Sequence, residues 1–286
     1  MSRIVYVNGR YVPYARAAVH VEDRGFQFAD AIYEVCEVYK GRLVDLDRHL
    51  ARLRRSLGEI ELELARSDRA LDLVMRETER RNLVRNGSVY LQVTRGAAPR
   101  DFPFPDPGET EPTVVCIARS ISRAAQEAQA ARGIAIKTMS DLRWGRCDIK
   151  TVMLLPACLA KTAAHREGAS EAWLVDREGF VTEGSSSNAW IIDGEGRLVT
   201  RRADNAILAG VTRASLLDLI EEEGLEVVFR PFRPAEVVLA REAFITSATN
   251  TVMPVVQVDG RVVGNGQPGP IALRLRAKFH GAGQLD

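Results

Sequence analysis

The sequence predicts a mixed α/β protein with two domains. Strand-like and helix-like stretches take turns along the 286 residues, which is the pattern of an α/β chain. A polar, alanine-rich stretch over residues 120–132 interrupts this pattern, and we place the domain boundary there. We therefore expect a small N-terminal α/β domain over residues 1–123, a linker over 124–128 and a larger C-terminal domain over 129–286.

A hairpin and a long strand open the N-terminal domain. Asn8 and Gly9 lie between two short runs of β-forming residues, and this pair is favoured in turns whose two central residues both have positive φ. Residues 31–39 then alternate between two faces, which predicts a strand. The alternation places Glu34 among apolar neighbours, either as a carboxylate with a shifted pKa or as a residue at a subunit edge.

Two amphipathic helices and two further strands complete this domain. Asp45 or Asp47 can cap the first helix, in which leucines recur at helical spacing, and Ser67 begins the second. Residues rich in β-formers predict strands over 88–94 and 113–118.

The C-terminal domain has the same mixture of elements. Gly168 and Gly224 mark two helix ends, because glycine is common where a helix stops. The expected strands lie at residues 133–137, 171–175, 180–183, 226–232 and 243–247, and the expected helices at 156–167, 212–223 and 271–279.

The composition excludes several classes of function. The chain has 39 Lys and Arg against 38 Asp and Glu, so its net charge of +1 gives no reason to expect nucleic acid or a charged membrane surface as a partner. No run reaches the roughly 20 apolar residues that a membrane span needs. The four cysteines form no CxxC pair and the four histidines are scattered, so we expect no metal site, no disulfide and a cytoplasmic location. Neither a dinucleotide-binding glycine motif nor a P-loop is present.

Four short segments carry polar residues that packing alone does not require. Residues 143–150 gather three cations and an aspartate around a tryptophan, and residues 182–188 combine a carboxylate, a glycine and a row of hydroxyls. Residues 210–212 at a helix start, and residues 246–249 after a strand, offer backbone N–H groups at which a phosphate can bind. Each segment alone is a weak signal, since solvated charges, wide turns and threonine caps have similar compositions.

Six segments, taken in order, resemble a known family. They are Asp23-Arg-Gly-Phe-Gln-Phe-Ala-Asp30, Tyr33-Glu34, Gln92-Val-Thr-Arg-Gly96, Arg146-Cys-Asp-Ile-Lys150, residues 182–188 and Leu208-Ala-Gly-Val-Thr-Arg213. The chain resembles the class IV aminotransferases, also called fold type IV pyridoxal-phosphate enzymes, and within them it is most similar to the D-amino acid (D-alanine) transaminase branch. The resemblance covers nearly the whole chain and implies the fold of that family. In that fold a larger C-terminal domain has a barrel-like β core, and the coenzyme lies between the two domains.

The resemblance assigns the coenzyme chemistry to Lys150 and Glu183. Lys150 is implied to be the Schiff-base lysine of pyridoxal 5′-phosphate and the base that moves a proton between the substrate Cα and C4′ of the coenzyme. Glu183 is implied to keep the pyridine nitrogen protonated, so that the ring accepts electrons. Tyr33 would bond the coenzyme hydroxyl beside Lys150, and Arg143 nearby would lower the pKa of the released lysine amine.

The phosphate and the faces of the ring have their own implied partners. Arg52 would add a charge-assisted contact to the N–H groups of a helix start, and residues 185–187 would support the edges of the ring and the phosphate. Ala248 has no hydroxyl, so it can contribute only its N–H. Besides Lys150, Glu183 and Tyr33, the implied cofactor-binding residues are Arg52, Ser187, Leu208, Val211, Thr212, Ser247 and Ala248.

Substrate recognition is implied for a proline-rich loop. Residues 99–107 contain four prolines, which predicts a stiff loop without regular structure. Typical D-amino acid transaminases bind the substrate carboxylate with a tyrosine like Tyr33 and with an Arg-x-His pattern in such a loop. This chain has Arg100 and Phe102 at those places, and a phenyl ring suits an apolar substrate group. Tyr33, Arg100 and Phe102 are therefore the expected substrate-binding residues.

The implied activity is a ping-pong transamination by a homodimer. The amino group would pass from a D-amino acid such as D-alanine to 2-oxoglutarate or pyruvate. One fold hosts several activities, so other assignments remain possible. Phe102 keeps branched-chain amino acid and (R)-amine transaminases as alternatives. A further alternative is aminodeoxychorismate lyase, which would release pyruvate without an amino acceptor. A non-enzymatic coenzyme-binding or scaffold protein is the last alternative, and its spectrum would lack the absorption band of lysine-bound coenzyme.

We interpret Cys147 as a packing residue and His49 as a solvated helix position.

Overall fold

The computed structural model describes residues 3–282 and divides them into two compact units. Unit 1 consists of residues 3–122 and 149–153, and unit 2 of residues 123–148 and 154–282. The proposed N-terminal domain, residues 1–123, therefore lacks the short segment 149–153 that the structure adds to unit 1.

Unit 1 is built on a six-stranded sheet in which every neighbouring pair is antiparallel. Its strands are β1 (Ile4–Val7), β2 (Arg10–Pro13), β3 (Ala31–Tyr39), β4 (Arg42–Leu43), β5 (Gly87–Thr94) and β6 (Thr113–Ser120), in the order β2-β1-β6-β5-β3-β4. Asn8 and Gly9 connect β1 and β2 with φ of 44° and 89°, which confirms the predicted hairpin turn.

Three helices accompany this sheet: α1 (Arg24–Phe28), α2 (Leu46–Glu59) and α3 (Asp68–Arg81). Ser67 begins α3 as predicted, since its hydroxyl accepts a hydrogen bond from the N–H of Ala70 at 3.2 Å. Asp45 occupies the N-cap position of α2, as one of the two predicted caps, but its φ is 53° and its side chain makes no capping hydrogen bond. The apolar faces of α2 and α3 pack on the sheet and form one core with β3, β5 and β6.

Unit 2 is built on a nine-stranded mixed sheet that curls into a half-barrel. Its strands are β7 (Ile134–Ser140), β8 (Glu171–Val175), β9 (Val181–Gly184), β10 (Asn188–Ile192), β11 (Leu198–Thr200), β12 (Val227–Phe229), β13 (Glu242–Ser247), β14 (Thr251–Val258) and β15 (Arg261–Val262). The order is β12-β11-β10-β13-β14-β7-β8-β9, and β15 pairs with β14. Strand pairs β7–β8, β7–β14 and β11–β12 are parallel. Trp173, Trp190 and Phe244 are fully buried against this sheet.

The helices of unit 2 are α4 (Arg123–Arg132), α5 (Leu155–Arg166), α6 (Val211–Glu222), α7 (Pro234–Leu239) and α8 (Pro270–Ala282). Helix α4 occupies the stretch proposed as a linker, and its only buried residue is Ala130, which explains why its sequence has little helical periodicity. Gly168 and Gly224 follow α5 and α6 with φ of 81° and 64°, which confirms the two predicted helix ends.

Residues 3–282 contain no helix that combines the length and the apolar content needed to cross a membrane. Over the same residues, no group of three or more His, Cys, Asp and Glu side chains is arranged to hold a metal ion.

The pairing of β5 with β6 depends on a glycine. A Cβ at Gly87 would lie 2.0 Å from the carbonyl oxygen of Arg119 on the paired strand, whereas a Cβ at exposed Gly58 in α2 would meet nothing within 4 Å. We expect Gly87→Ala to lower the free energy of unfolding by about 2 kcal/mol through overpacking. Gly58→Ala is expected to raise it by about 0.5 kcal/mol through helix propensity. Urea denaturation measures both, and equal effects would contradict the packing argument.

Candidate active site

Lys150 lies in the segment 149–153, which extends the sheet of unit 1. The backbone N–H of Tyr33 donates to the carbonyl of Lys150 at 3.1 Å, and the N–H of Val152 donates to the carbonyl of Ala31 at 3.2 Å. Strand β5 pairs along one whole edge of β3, so these bonds lie on the other edge, where β4 covers only the far end. The backbone next to Lys150 is therefore fixed by strand-like pairing.

The amine of Lys150 lies against an aromatic pair. Its Nζ is 4.2 Å from the centroid of the Tyr33 ring, and that ring stacks on the ring of Tyr90 at 5.6 Å. Burial raises the pKa of Tyr90, whose hydroxyl donates to Oε1 of Gln92 at 2.6 Å. Within the described part of unit 1, Nζ has no hydrogen-bond acceptor. The amine is thus positioned and chemically available, and the roles that the resemblance implies for Lys150 and Tyr33 stay predictions.

A buried carboxylate organises the neighbouring part of unit 1. Glu34 is 1% exposed. Its carboxylate accepts hydrogen bonds from Nε and Nη2 of Arg52 at 2.8 and 2.7 Å, and one of its oxygens lies 2.7 Å from Nδ1 of His49. Burial alone raises the pKa of Glu34, but the charge and hydrogen bonds of Arg52, with those of His49, lower it to about 2. This confirms Glu34 as a carboxylate with a shifted pKa.

Two expectations about the same helix have different outcomes. The interpretation of His49 as a solvated residue was wrong, because its ring is 3% exposed and bonded to Glu34; helical periodicity does not reveal a polar partner on another element. The assignment of Arg52 to the coenzyme phosphate stays a prediction. The Nε and Nη2 atoms of Arg52 hold Glu34, which fixes the orientation of the guanidinium.

In unit 2, Glu183 at the end of β9 is the centre of a second network. Its carboxylate is buried; Oε2 accepts from Nδ2 of Asn188 at 2.9 Å and from the N–H of Leu208 at 3.1 Å, and Oε1 pairs with Nη1 of Arg143. Asn188 also donates to the carbonyl of Leu208 at 3.0 Å. Glu183, Asn188 and Leu208, which lie in two of the singled-out segments, are thus brought together.

Arg143 is held by two carboxylates in unit 2. Its Nη2 lies 2.8 Å from Oδ2 of Asp141, and its Nη1 pairs with Glu183. Burial lowers the pKa of Arg143, but the two carboxylates outweigh it and raise the pKa. The two carboxylates offset the charge of Arg143 within unit 2, and its proposed role in lowering the pKa of the lysine amine stays a prediction. Cys147 beside it stays a neutral thiol, since burial raises its pKa to about 11.

The serine turn after Glu183 is held by a residue that the sequence did not single out. Glu171, on β8, is 1% exposed. Its carboxylate accepts hydrogen bonds from three hydroxyl groups: that of Ser185, that of Ser186 at 2.9 Å and that of Ser187 at 3.3 Å. Lys161 adds an ion pair to the same carboxylate at 3.2 Å. The hydroxyls of residues 185–187 are thus engaged, and the prediction that Ser187 binds the coenzyme remains a prediction. Alternation in β8 gave no signal for Glu171, because its partners come from distant segments.

The start of α6 has the features of an anion site. Gly210 precedes the helix without a side-chain cap, and a Cβ there would lie 2.1 Å from Oδ1 of Asn188, so the helix start packs closely on the Glu183 network. In the described residues the N–H groups of Val211 and Thr212 have no partner, as expected for a first turn that awaits an acceptor. The helix dipole adds to this preference for negative charge.

The second predicted phosphate contact lies in the turn between β13 and β14. The hydroxyl and the carbonyl of Ser247 both accept from the N–H of Asn250 at 3.2 Å. The N–H of Ala248 has no partner among residues 3–282, so both residues keep their assignment as predictions.

The proline-rich loop exposes the residues assigned to the substrate. Phe102 is 77% exposed, and its ring lies edge-to-face on that of Phe28 at 5.8 Å. Cζ of Arg100 lies 5.2 Å from the centroid of Phe28 and 6.0 Å from that of Phe102. The loop residues therefore present one cation against two phenyl rings.

Comparison with known proteins identifies the family. The model of the amino-transferase class IV family matches residues 31–258. The chain belongs to the class IV aminotransferases. D-alanine aminotransferase of Bacillus licheniformis is 41% identical over 272 residues, covering 95% of this chain and 94% of that protein. The Staphylococcus haemolyticus enzyme of the same name is 38% identical over 276 residues, covering 96% of each. Among solved structures, a T.th. branched-chain amino acid aminotransferase with pyridoxamine 5′-phosphate has a TM-score of 0.89 at 26% identity, covering 98% of this chain and 93% of that one.

Class IV aminotransferases depend on pyridoxal 5′-phosphate, and the residues of each unit fit parts of that group. Unit 1 supplies an amine without an acceptor at Lys150. Unit 2 supplies a buried, oriented carboxylate at Glu183 and a helix start with unpartnered N–H groups at Val211 and Thr212. An amine can react with the carbonyl of the coenzyme, a carboxylate can pair with its protonated ring nitrogen, and a helix start can bind its phosphate.

The Glu34 network should make the stability of this aminotransferase depend on pH. The pKa of the Glu34 carboxyl group is 4.5 in the unfolded state and about 2 in the folded state. The ion pairs of Glu34 therefore stabilise the fold above pH 4.5, and this stabilisation is lost as the pH falls towards 2. We expect Glu34→Gln to lower the free energy of unfolding at pH 7 by about 3 kcal/mol, because Arg52 and His49 lose their buried partner.

The difference between the variant and the wild type should narrow between pH 4.5 and 2 in chemical denaturation. Glu77→Gln is the matched control: hydrogen bonds from Arg80 and Arg81 also lower the pKa of Glu77, but this carboxylate is at the surface, where solvent screens the charges, so we expect a much smaller difference in stability. A constant difference at all pH values would contradict the assigned pKa.

Proposed function

We propose that this aminotransferase is a D-amino acid transaminase that takes D-alanine or a similar donor and passes the amino group to 2-oxoglutarate or pyruvate in a ping-pong cycle. The substrate class is supported by identities of 41% and 38% to D-alanine aminotransferases over nearly the full length. The observation that carries the chemistry is the amine of Lys150, which lies on the ring of Tyr33 without an acceptor of its own in unit 1.

Lys150 is assigned the proton transfer. Pyridoxal 5′-phosphate supplies a ring that takes up the electrons left at the substrate Cα when its proton departs. Nζ of Lys150 takes that proton and would pass it to C4′ of the coenzyme in the same half of the cycle, and it carries a proton in the opposite direction in the reverse half. The backbone pairing of residues 150 and 152 with β3, and the ring of Tyr33, restrict where Nζ can move, which keeps the base in place between the two transfers.

Glu183 is assigned to the ring nitrogen. Asn188, the N–H of Leu208 and Arg143 hold its carboxylate in one orientation, so that it can accept from a protonated nitrogen without reorganising. Leu208 is assigned to pack on the ring, because its own N–H places it beside Glu183. The phosphate is assigned to the first turn of α6, with Arg52, Ser187, Ser247 and Ala248 as further proposed contacts.

The substrate is assigned to Tyr33, Arg100 and Phe102. Arg100 offers a guanidinium for the carboxylate, and the exposed ring of Phe102 offers an apolar surface. That exposed ring also favours a second candidate function, the transfer of amino groups from branched-chain amino acids or apolar amines. Aminodeoxychorismate lyase activity has no observation of its own in its favour.

We also infer a homodimer in a cytoplasmic location. The dimer is supported by apolar side chains that unit 1 exposes in three segments, Val21 at 73%, Phe26 at 76% and Phe102 at 77%, because a soluble surface seldom carries several such residues without a partner. The location is supported by the four cysteines, all of which are free thiols.

The role of Lys150 is tested by covalent labelling. Borohydride reduction of the holoenzyme fixes the coenzyme to its lysine, and peptide mass mapping then identifies that residue among the five lysines of the chain. We expect the label on Lys150. Lys150→Ala should lose the label and at least about 10³-fold in turnover, because the base is gone.

Lys137→Ala is the control, because this lysine pairs with Glu167 and Asp259 at the surface of unit 2. It should keep the label and the activity. A label on another lysine, or transamination by Lys150→Ala at the wild-type rate, would contradict the assignment.

A further inference from the structure

A buried charge cluster in unit 1 has no assigned role. Oδ2 of Asp30 accepts from Nε of Arg24 at 2.8 Å and from Nε of Arg95 at 2.7 Å, and the three side chains are 3% to 8% exposed. One carboxylate thus holds two buried guanidiniums, and burial of this kind is costly unless the remaining donors also find partners.

The two arginines use their remaining donors in different directions. Arg24 donates from Nη1 to the carbonyl of Asp101 at 2.7 Å and from Nη2 to the carbonyl of Phe102 at 3.4 Å. Arg95 donates to the carbonyls of Ile60 and Glu61, which follow α2, at 2.6 and 3.0 Å. Arg24 is therefore the member of the cluster that bonds to the proline-rich loop.

The loop has few other restraints. In the described part of unit 1, the backbone of residues 99–105 makes no hydrogen bond to another segment except the two from Arg24. The ring of Phe104 adds a contact, with Cζ of Arg95 at 3.8 Å from its centroid and Cζ of Arg24 at 5.8 Å. The backbone of the segment that carries Arg100 and Phe102 is thus held by the guanidinium of Arg24, while Arg95 contacts the loop only through the ring of Phe104.

We propose that Arg24 is a positioning residue for substrate selection. By holding the backbone at Asp101 and Phe102, it fixes Arg100 over the rings of Phe28 and Phe102, so that a carboxylate and an adjoining apolar side chain are received together. The substrate class is an amino acid with an apolar side chain. The inference rests on the proposed function, which assigns Arg100 and Phe102 to the substrate.

The test compares Arg24→Met with a matched control, Arg54→Met, in the holoenzyme. Methionine keeps the aliphatic bulk of the side chain and leaves the pair of Asp30 with Arg95 in place. Arg54 is the control because it also pairs with a carboxylate, Asp68, and donates to two loop carbonyls, those of Leu64 and Arg66, at a different loop.

The first measurement is independent of activity. Trypsin cleaves after Arg100 only when the loop leaves its folded conformation, so we expect cleavage at this bond to be roughly tenfold faster in Arg24→Met, through the loss of two charge-assisted hydrogen bonds, and unchanged in Arg54→Met. Cleavage at the wild-type rate in Arg24→Met would overturn the proposal. If Arg24→Met does not fold, Arg24→Lys takes its place, because one ammonium cannot hold Asp30 and both carbonyls.

The second measurement separates positioning from a structural effect. In Arg24→Met, KM for D-alanine should rise roughly tenfold while kcat stays within about twofold of wild type. In the Arg100→Ala background, adding Arg24→Met should leave KM at the value of Arg100→Ala alone. An unchanged KM, or additive effects of the two substitutions, would overturn the inference. If the wild type reacts with L-leucine and not with D-alanine, the proposed donor is wrong, and the same comparison made with L-leucine still decides the role of Arg24.

Discussion

The compensation of buried carboxylates is the constraint on which both units depend. An isolated carboxylate cannot be removed from water without a large cost, so each one fixes the donors around it. In this chain those donors belong to the segments with assigned chemistry: a helix that carries a phosphate-binding candidate, a loop that carries substrate candidates and a turn next to the ring-nitrogen candidate. The same contacts therefore stabilise the fold and fix the orientation of the candidate site residues. The four carboxylates are Glu34, Asp30, Glu171 and Glu183.

Elements with a strong local signal were predictable from the sequence. The alternation of β3, the Asn8-Gly9 turn and the serine cap of α3 are all decided by neighbours within a few residues. Helix α1 was missed because its five residues are too few for a period and it depends on a cap from Asp23, which accepts from the N–H of Gly25 at 2.9 Å. Helix α4 was missed because it buries only Ala130, so its polar sequence has the composition of a linker.

The candidate site residues were named from the resemblance and their roles stay predictions, but the interactions around them could not be predicted. The resemblance named Lys150, Glu183 and Arg52, yet no spacing rule shows that Arg52 shares Glu34 with His49, since that contact joins a helix to a strand. The placement of segment 149–153 in unit 1 is likewise a result of tertiary pairing with β3. Glu171 was invisible for the same reason: its donors lie 10 to 16 residues away in sequence.

The choice of amino donor distinguishes the proposed activity from its alternatives, and a half-reaction measures that choice. Purified holoenzyme is mixed separately with D-alanine, L-leucine and (R)-1-phenylethylamine, without an acceptor, and the absorbance of the lysine-bound coenzyme is followed in a stopped-flow instrument. We expect rapid conversion to the absorbance of pyridoxamine phosphate with D-alanine and little with the other two donors. Conversion with L-leucine or the amine alone would contradict this expectation.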